Sequence, residues 1–304
     1  MLLVQLQLPF LQRMLISIIT PSYNQCEHLE DTIKCVFGQE GDFSIDYIVI
    51  DGGSSDRSVD SIRNWEQSLN SGAWKAGCKG ITFRWISEPD NGQVDAIEKG
   101  FAMAKGDIAC WLNSDDVFEN SRVLASAARH FKTDPSLDML TGDGPMIGKN
   151  GERFGVHHVD FIDVRELLYL DYHILQPSTF IRRNVFTRER LDRSYDYCFD
   201  AEYFIRLITR GYRFKKVNDS FGCSRQYPET KTMSGQERRY RESLRISRQY
   251  GDSRYCYLIS MLYKYFDIVL RNRYPESMIT RKTSAVVRRL AYLFITGRPG
   301  RRTS

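Results

Sequence analysis

The sequence predicts an α/β protein: a doubly wound, mostly parallel sheet flanked by helices, with a helical C-terminal extension. Three observations carry this expectation. Short apolar, β-branched runs alternate with amphipathic helical stretches as far as residue 112. Polar loops follow the runs at 15–20, 45–50 and 107–112. After Gln236 the periodicity is helical throughout.

Residues 15–20 (LISIIT) are continuously apolar and stop at Pro21, as a strand buried on both faces of a parallel sheet does. From Glu27 to Phe37 the spacing of Leu29, Ile33 and Phe37 gives one helical face, and a second apolar run follows at 45–50. That is one βαβ unit. The pattern recurs with a helix from about Ser55, a strand at 81–87, a helix from Gln93 to Ala104 and a strand at 107–112. A helix at 119–132, a strand at 137–142, a turn at 149–151, a helix near 163–170 and a strand at 178–182 complete a less regular second half. A helix from Phe199 to Arg210 is closed by Gly211. These elements divide the chain into an N-terminal extension at 1–14, one domain at 15–223, and a basic helical extension at 224–304.

With 304 residues, 42% of them hydrophobic, the chain is long enough for a large core, and the formal charge of +5 is too mild to indicate nucleic acid. Much of the excess sits at 281–304, where Arg281, Lys282, Arg288, Arg289, Arg298, Arg301 and Arg302 occur without a carboxylate. Seven cysteines with no CxxC pair read as reduced thiols of a cytoplasmic protein. Residues 1–13 lack a basic leader and a small-residue cleavage site, so they read as an upstream extension or a mis-called start rather than a signal peptide.

The chemistry concentrates in the loops at the carboxyl ends of the strands, where open α/β sheets bind ligands. After the first strand stands Thr20-Pro21-Ser22-Tyr23-Asn24, whose tyrosine and hydroxyls suit a nucleobase as well as a turn. After the second stands Asp51-Gly52-Gly53-Ser54-Ser55-Asp56, in which Asp51 is an acceptor for a base N–H. This is not the GxGxxG of a dinucleotide fold. After the fourth stands Asn113-Ser114-Asp115-Asp116. Adjacent carboxylates on a loop repel unless a cation or strong donors offset them, and the plain alternative is a helix cap.

Taken together these loops resemble the family 2 glycosyltransferases of the GT-A fold. The resemblance runs from residue 15 to about 220 and rests on five ordered segments. They are ISIITPSYNQ (16–25), DYIVIDGGSSDRS (46–58), SEPDNGQVDAIEKGFAMAKGDIACWLNSDD (87–116), QPSTFIRR (176–183) and FDAEYFIRLITRGY (199–212). It implies an inverting transfer from a nucleotide-diphosphate sugar, a UDP-sugar first of all, with Mn2+ or Mg2+ as cofactor. Thr20, Pro21, Tyr23 and Asp51 would hold base and ribose, and Asp90 and Gln93 would line the donor site. Asp115 matches the metal-binding aspartate. The first position of that motif is Asn113 rather than aspartate, so Asn113 or Ser114 would serve the ribose, with Asp116 supporting from behind.

The general base of the resembling family falls on Asp200, at the start of a helix, with Glu202 the alternative and Gln176 on the acceptor side. Without the other motifs Asp200 reads as an ordinary first-turn carboxylate. His157, His158 and His173 read as surface or packing residues. A processive-synthase QxxRW motif is absent, which implies single additions. The expected acceptor is a glycan or a lipid-linked group in cell-surface polysaccharide or glycoconjugate synthesis.

The stripe of Tyr257, Leu258, Met261, Leu262, Tyr265 and Phe266, and a second at 286–294, suit a membrane surface on the cytoplasmic face. They equally suit packing on the domain or on a second copy in a homodimer. Two rivals remain. A nucleotidyltransferase requires a basic triphosphate loop after the first strand, which TPSYNQ is not, and a non-catalytic nucleotide-binding scaffold would bind donor without turnover.

Overall fold

The computed structural model describes residues 13–159, 163–170, 173–231, 235–274 and 278–297. Of the expected N-terminal extension, all but Arg13 and Met14 lies outside the described residues, as do Arg298, Arg301 and Arg302.

Strands β1 (Met14–Ser22), β2 (Phe43–Asp51), β3 (Ile81–Ser87) and β4 (Ile108–Trp111) are parallel, in the order β3-β2-β1-β4. The order reverses between β1 and β4, which opens a crevice at their carboxyl ends. Helices α1 (Cys26–Phe37), α2 (Ser58–Asn70) and α3 (Gln93–Met103) make the crossovers. Alternation along β1 sends Ile16 and Ile18 into one core with Leu29, Ile33 and Phe37 of α1, and Ile19 into the other with Ile97 and Phe101 of α3. Gly100 lets α3 lie against β1, since a Cβ there would come within 2.3 Å of the Ile19 side chain.

The second half departs from the parallel pattern. β8 (Thr179–Arg182) runs antiparallel between β4 and β6 (Met139–Ile147). β7 (Arg153–His157) and β9 (Phe214–Ser220) also pair with β6, and β10 (Gly222–Arg225) joins β6 to the short β5 (Val117–Phe118). Helices α4 (Val123–Thr133), α5 (Val164–Tyr169), α6 (Arg183–Phe186) and α7 (Phe199–Thr209) complete the domain. Strands β5, β7, β9 and β10 and helix α6 are not among the expected elements.

Trp111 is fully buried and stacks on Phe204 at 5.4 Å between ring centres, fixing α7 against the end of β4. Removing an aromatic ring of this kind costs about 3–5 kcal/mol. Gly211, at φ +85°, closes α7 as the sequence implies.

Three helices follow: α8 (Gln236–Tyr250), α9 (Arg254–Arg273) and α10 (Met278–Thr296). Glu242 of α8 accepts the backbone N–H groups of Tyr197 at 2.9 Å and Cys198 at 2.7 Å, which ties α8 to the start of α7. Asp267 of α9, buried, accepts from Tyr240 of α8 and Ser284 of α10 and so joins all three. The helical extension expected from residue 224 thus begins inside β10, and its first helix braces the loop before α7.

Candidate active site

Two clefts meet at the carboxyl ends of β1 and β4. The first has a volume of about 640 Å³ and is walled by Pro21, Tyr23, Gly52, Asp90 and the 113–116 loop on one side and by Arg225 and Tyr227 on the other. The second, about 390 Å³, contains Gln176 and Asp200. Gln93, Asn113, Asp116, Ser224 and Lys231 belong to both walls, so a molecule in one cleft adjoins a molecule in the other.

The floor of the first cleft is built by hydrogen bonds between loops. Asn24, at φ +50°, donates its N–H to the Ser54 hydroxyl at 2.8 Å, and its side-chain oxygen accepts from the Ser55 N–H at 2.9 Å. Asp56 accepts from the Cys26 N–H at 3.0 Å and the Ser58 N–H at 2.9 Å, so one carboxylate serves the starts of α1 and α2. Burial opposes ionisation of Asp56, but these donors outweigh it and hold its pKa down at about 2. Gly52 runs so close to Asp90 that a Cβ would meet its carboxyl oxygen at 2.8 Å. Tyr23 stands 62% exposed at the rim, an aromatic face available for stacking.

Two predicted donor residues are not in this wall. Thr20 is fully buried with its hydroxyl 3.1 Å from that of Tyr47, because strand alternation turns it into the core. Asp51 is fully buried and accepts from the Ser54 N–H at 2.9 Å, the Ser54 hydroxyl at 2.5 Å and the Ser87 hydroxyl at 2.7 Å. Its carboxylate shapes the loop that a ligand would touch and is not itself presented to one.

At the junction, Asn113 is the hub. Its side-chain oxygen accepts from Gln93 at 2.8 Å, and its amide donates to Asp116 at 3.1 Å and to Gln176 at 3.2 Å. Gln176 in turn donates to the Trp111 carbonyl at 2.5 Å. An aspartate at 113 has no proton for Asp116 or for the Gln176 oxygen, which gives a physical reason for asparagine here.

Asp116 also accepts the Arg225 N–H at 2.8 Å. Asp115 accepts from the Tyr227 hydroxyl at 3.3 Å, and its carbonyl accepts from Arg225 Nε at 2.7 Å. Burial pushes both carboxyls above the usual range, and the charge of Asp115 adds to the effect on Asp116. Among the described residues no group of three or more His, Cys, Asp or Glu is placed to hold a metal. Asp115 lines the first cleft and offers a single carboxylate there, the kind of oxygen donor a hard divalent cation takes.

Arg225, Tyr227 and His28 carry no signal in the sequence. Arg225 is buried and also donates to the Lys149 carbonyl at 2.7 Å. His28, packed 5.4 Å from the Tyr227 ring, is the histidine that feels Asp115, and burial followed by Arg225 lowers its pKa. The three histidines set aside from sequence hold structural bonds: His157 donates to the His173 carbonyl at 2.7 Å, His158 lies 3.0 Å from Asp143, and His173 lies 3.0 Å from Glu166.

In the second cleft, Asp200 occupies the first turn of α7. It accepts the Ala201 N–H at 2.8 Å, and burial raises its pKa to about 6 despite the opposing pull of Arg239. A carboxylate tuned toward neutrality is suited to taking a proton. Glu202, in contrast, is fully buried, pairs with Arg206 at 2.8 Å and accepts from Tyr250 at 2.5 Å, so its carboxylate is occupied in the core. The alternating helix face that sends Asp200 to the cleft sends Glu202 inward.

Comparison with known proteins places this architecture. An uncharacterized glycosyltransferase of Mycobacterium tuberculosis is 36% identical over 131 residues, covering 43% of this chain and 42% of the relative. The aligned region thus spans less than half of that protein. A PGL/p-HBAD biosynthesis glycosyltransferase of Mycobacterium bovis is 27% identical over 171 residues, 56% of this chain and 60% of the relative. Among solved structures, S. aureus TarS residues 1–349 in complex with UDP-GlcNAc superposes with a TM-score of 0.61 at 15% identity, covering 93% of this chain and 82% of that one. The mannosyltransferase PcManGT from Pyrobaculum calidifontis in complex with GDP-Man and Mn2+ gives 0.58 at 15% identity, covering 94% and 76%. The fold is that of the GT-A glycosyltransferases. The model of glycosyl transferase family 2 matches residues 17–198, more than half of the chain. On that match, with the GT-A sheet and the paired clefts at its switch point, the chain belongs to glycosyl transferase family 2.

Proposed function

We propose that this glycosyltransferase is an inverting, metal-dependent, non-processive hexosyltransferase. It moves a sugar from a nucleotide-diphosphate donor, a UDP-sugar in the first instance, to a hydroxyl of a glycan or lipid-linked acceptor in cell-surface polysaccharide or glycoconjugate synthesis. The observation that carries this reading is the contiguity of the two clefts, with Asp115 in one, Asp200 in the other and Asn113 between them.

Tyr23 and the Pro21 and Gly52 backbone receive the nucleoside, while Asp90, Gln93 and Ser114 face the ribose and sugar. Asp115 would hold Mn2+ or Mg2+, which when bound offsets the negative charge that builds on the departing diphosphate. The N-terminus of α3, opening on the same cleft at Gln93, adds a positive dipole end. Asp200 takes the proton of the acceptor hydroxyl as its oxygen bonds to the anomeric carbon from the face opposite the diphosphate. The bond from that carbon to the diphosphate oxygen breaks, and the nucleoside diphosphate leaves with the electron pair.

No helix among the described residues is long and apolar enough to cross a membrane. The outer faces of α9 and α10 expose Tyr255, Leu258, Leu262, Tyr265, Leu290 and Phe294. In the described parts of these helices Asp267, buried, is the only carboxylate. We read this face as one that rests on an anionic membrane surface, placing the enzyme at the cytoplasmic face.

The test is slow hydrolysis of candidate UDP- and GDP-sugars, followed by proton NMR before the anomers equilibrate. A β-configured free sugar released first from an α-linked donor is expected. First release of the α anomer would overturn inversion, and no release with any donor from folded protein would favour a binding role without turnover.

A further inference from the structure

The first cleft is acidic for a site that receives a nucleoside diphosphate. Among the described residues its walls carry the carboxylates of Asp90, Asp115, Asp116 and Glu229 against the cations of Arg225 and Lys231. Arg225 is turned away from a ligand: its side chain is 2% exposed, and its guanidinium is engaged by the carbonyls of Asp115 and Lys149, each at 2.7 Å, and by Asp31 at 3.3 Å. Lys231 differs in place and in freedom. Its side chain is 46% exposed, and it belongs to the walls of both clefts. The sugar of a donor lies where the clefts meet, because its nucleotide occupies one while the acceptor hydroxyl approaches Asp200 in the other. An ammonium on that seam adjoins the bond that breaks.

Lys231 has a partner that it can exchange. Its ammonium donates to the Asp196 carboxylate at 2.6 Å and to the Asp196 carbonyl at 3.3 Å, and it lies 5.7 Å from the centre of the Tyr197 ring. The Asp196 side chain is 61% exposed, and an ion pair this open to water contributes little and is given up at small cost. The loop around it is held by other means, since the Asp196 N–H donates to Glu242 at 3.0 Å.

We propose that Lys231 is a catalytic cation, passing from Asp196 to the distal phosphate of the bound donor. This rests on the reading of the two clefts as donor and acceptor sides. As the bond between the anomeric carbon and the diphosphate oxygen breaks, the electron pair goes to that oxygen. The Lys231 ammonium donates a hydrogen bond to the same phosphate and keeps its proton. A charge-assisted bond of this kind strengthens as negative charge grows on the acceptor, so it favours the transition state over the bound donor. Asp196 competes with the phosphate for the ammonium.

The probes are UDP with UMP and GDP with GMP, titrated by calorimetry in the presence of Mn2+ into the full chain, wild type, Lys231→Met, Lys231→Arg and Asp196→Asn. For the pair that wild type binds, Lys231→Met is expected to weaken the diphosphate by about tenfold and leave the monophosphate unchanged, while Lys231→Arg keeps most of the affinity. Asp196→Asn removes the competitor and is expected to strengthen the diphosphate by about threefold or more. Equal loss of diphosphate and monophosphate in Lys231→Met, or equal weakening by the Met and Asn variants, would mark a structural ion pair and overturn the inference. Diphosphate affinity unchanged in Lys231→Met would overturn it too, while leaving the donor site standing. Folded wild type that binds none of these nucleotides would sink the donor reading and the inference with it. At saturating donor, slow hydrolysis is expected to fall by about tenfold or more in Lys231→Met and to recover in Lys231→Arg. Hydrolysis equal to wild type would reduce Lys231 to a binding residue and overturn its catalytic role.

Discussion

Replacing Asp200 by asparagine separates chemistry from stability in one residue. Burial raises the carboxyl from an ordinary 3.8 to about 6. At about 1.4 kcal/mol per tenfold change in proton affinity, keeping Asp200 ionised at neutral pH costs the fold about 3 kcal/mol, less whatever its partial contact with water returns. Because the folded-state pKa lies above that of the unfolded chain, the protonated form is favoured by folding. The wild type therefore has this stability in full below about pH 4 and loses it as pH rises through about 6.

Asparagine keeps an oxygen for the Ala201 N–H and carries no charge. Asp200→Asn is expected to match wild type near pH 4 and to exceed it by about 2–3 kcal/mol at pH 7.5, a rise of about 5 °C in melting temperature for a chain of this size. The same variant lacks the base, so turnover is expected to fall by about 10²–10⁴-fold. Wild-type kcat/KM is expected to rise with pH through about 6 as the carboxylate forms. Urea unfolding at the two pH values and donor turnover are the assays. A variant less stable than wild type at pH 7.5, or one that retains turnover, would refute the assignment.

Two further substitutions address the rest of the account. Asn113→Asp removes the protons that reach Asp116 and Gln176 and sets a third carboxylate beside two others. It is expected to destabilise by about 2 kcal/mol or more in urea unfolding, and an unchanged midpoint would contradict the hub role. Leu262→Glu places a charge on the exposed face of α9 and is expected to reduce co-sedimentation with vesicles rich in anionic lipid by about tenfold or more, without altering UDP affinity. Vesicle binding indifferent to this change, or protein that elutes as a dimer through the same face, would contradict the membrane reading.

Which parts of this were legible in the sequence follows from how local each signal is. β1, β2 and β4 are apolar runs buried on both faces, and α1 carries Leu29, Ile33 and Phe37 on one stripe, so both are visible to a short window. β9 (FKKVNDS) and β10 (GCSR) are polar and short, and only pairing with β6, far along the chain, makes them strands. Arg225 was hidden for the same reason: it is the last residue of β10, in a stretch that reads as a linker. Asn113, Asp115, Gln176 and Asp200, singled out by motif position, line the walls of adjoining clefts. Motif position did not resolve orientation one residue away, where strand alternation turns Thr20 toward Tyr47 and the helix turns Glu202 toward Arg206.

The most direct measurement titrates UDP, GDP and dTDP into the protein by calorimetry, with and without Mn2+, for wild type and Asp115→Ala. One diphosphate is expected to bind selectively, at least about tenfold more tightly with the metal, and the variant to lose that enhancement while keeping its melting temperature within a few degrees. Folded wild-type protein that binds none of the three, or an Asp115→Ala variant with undiminished metal enhancement, would contradict the donor site described between β1 and β4.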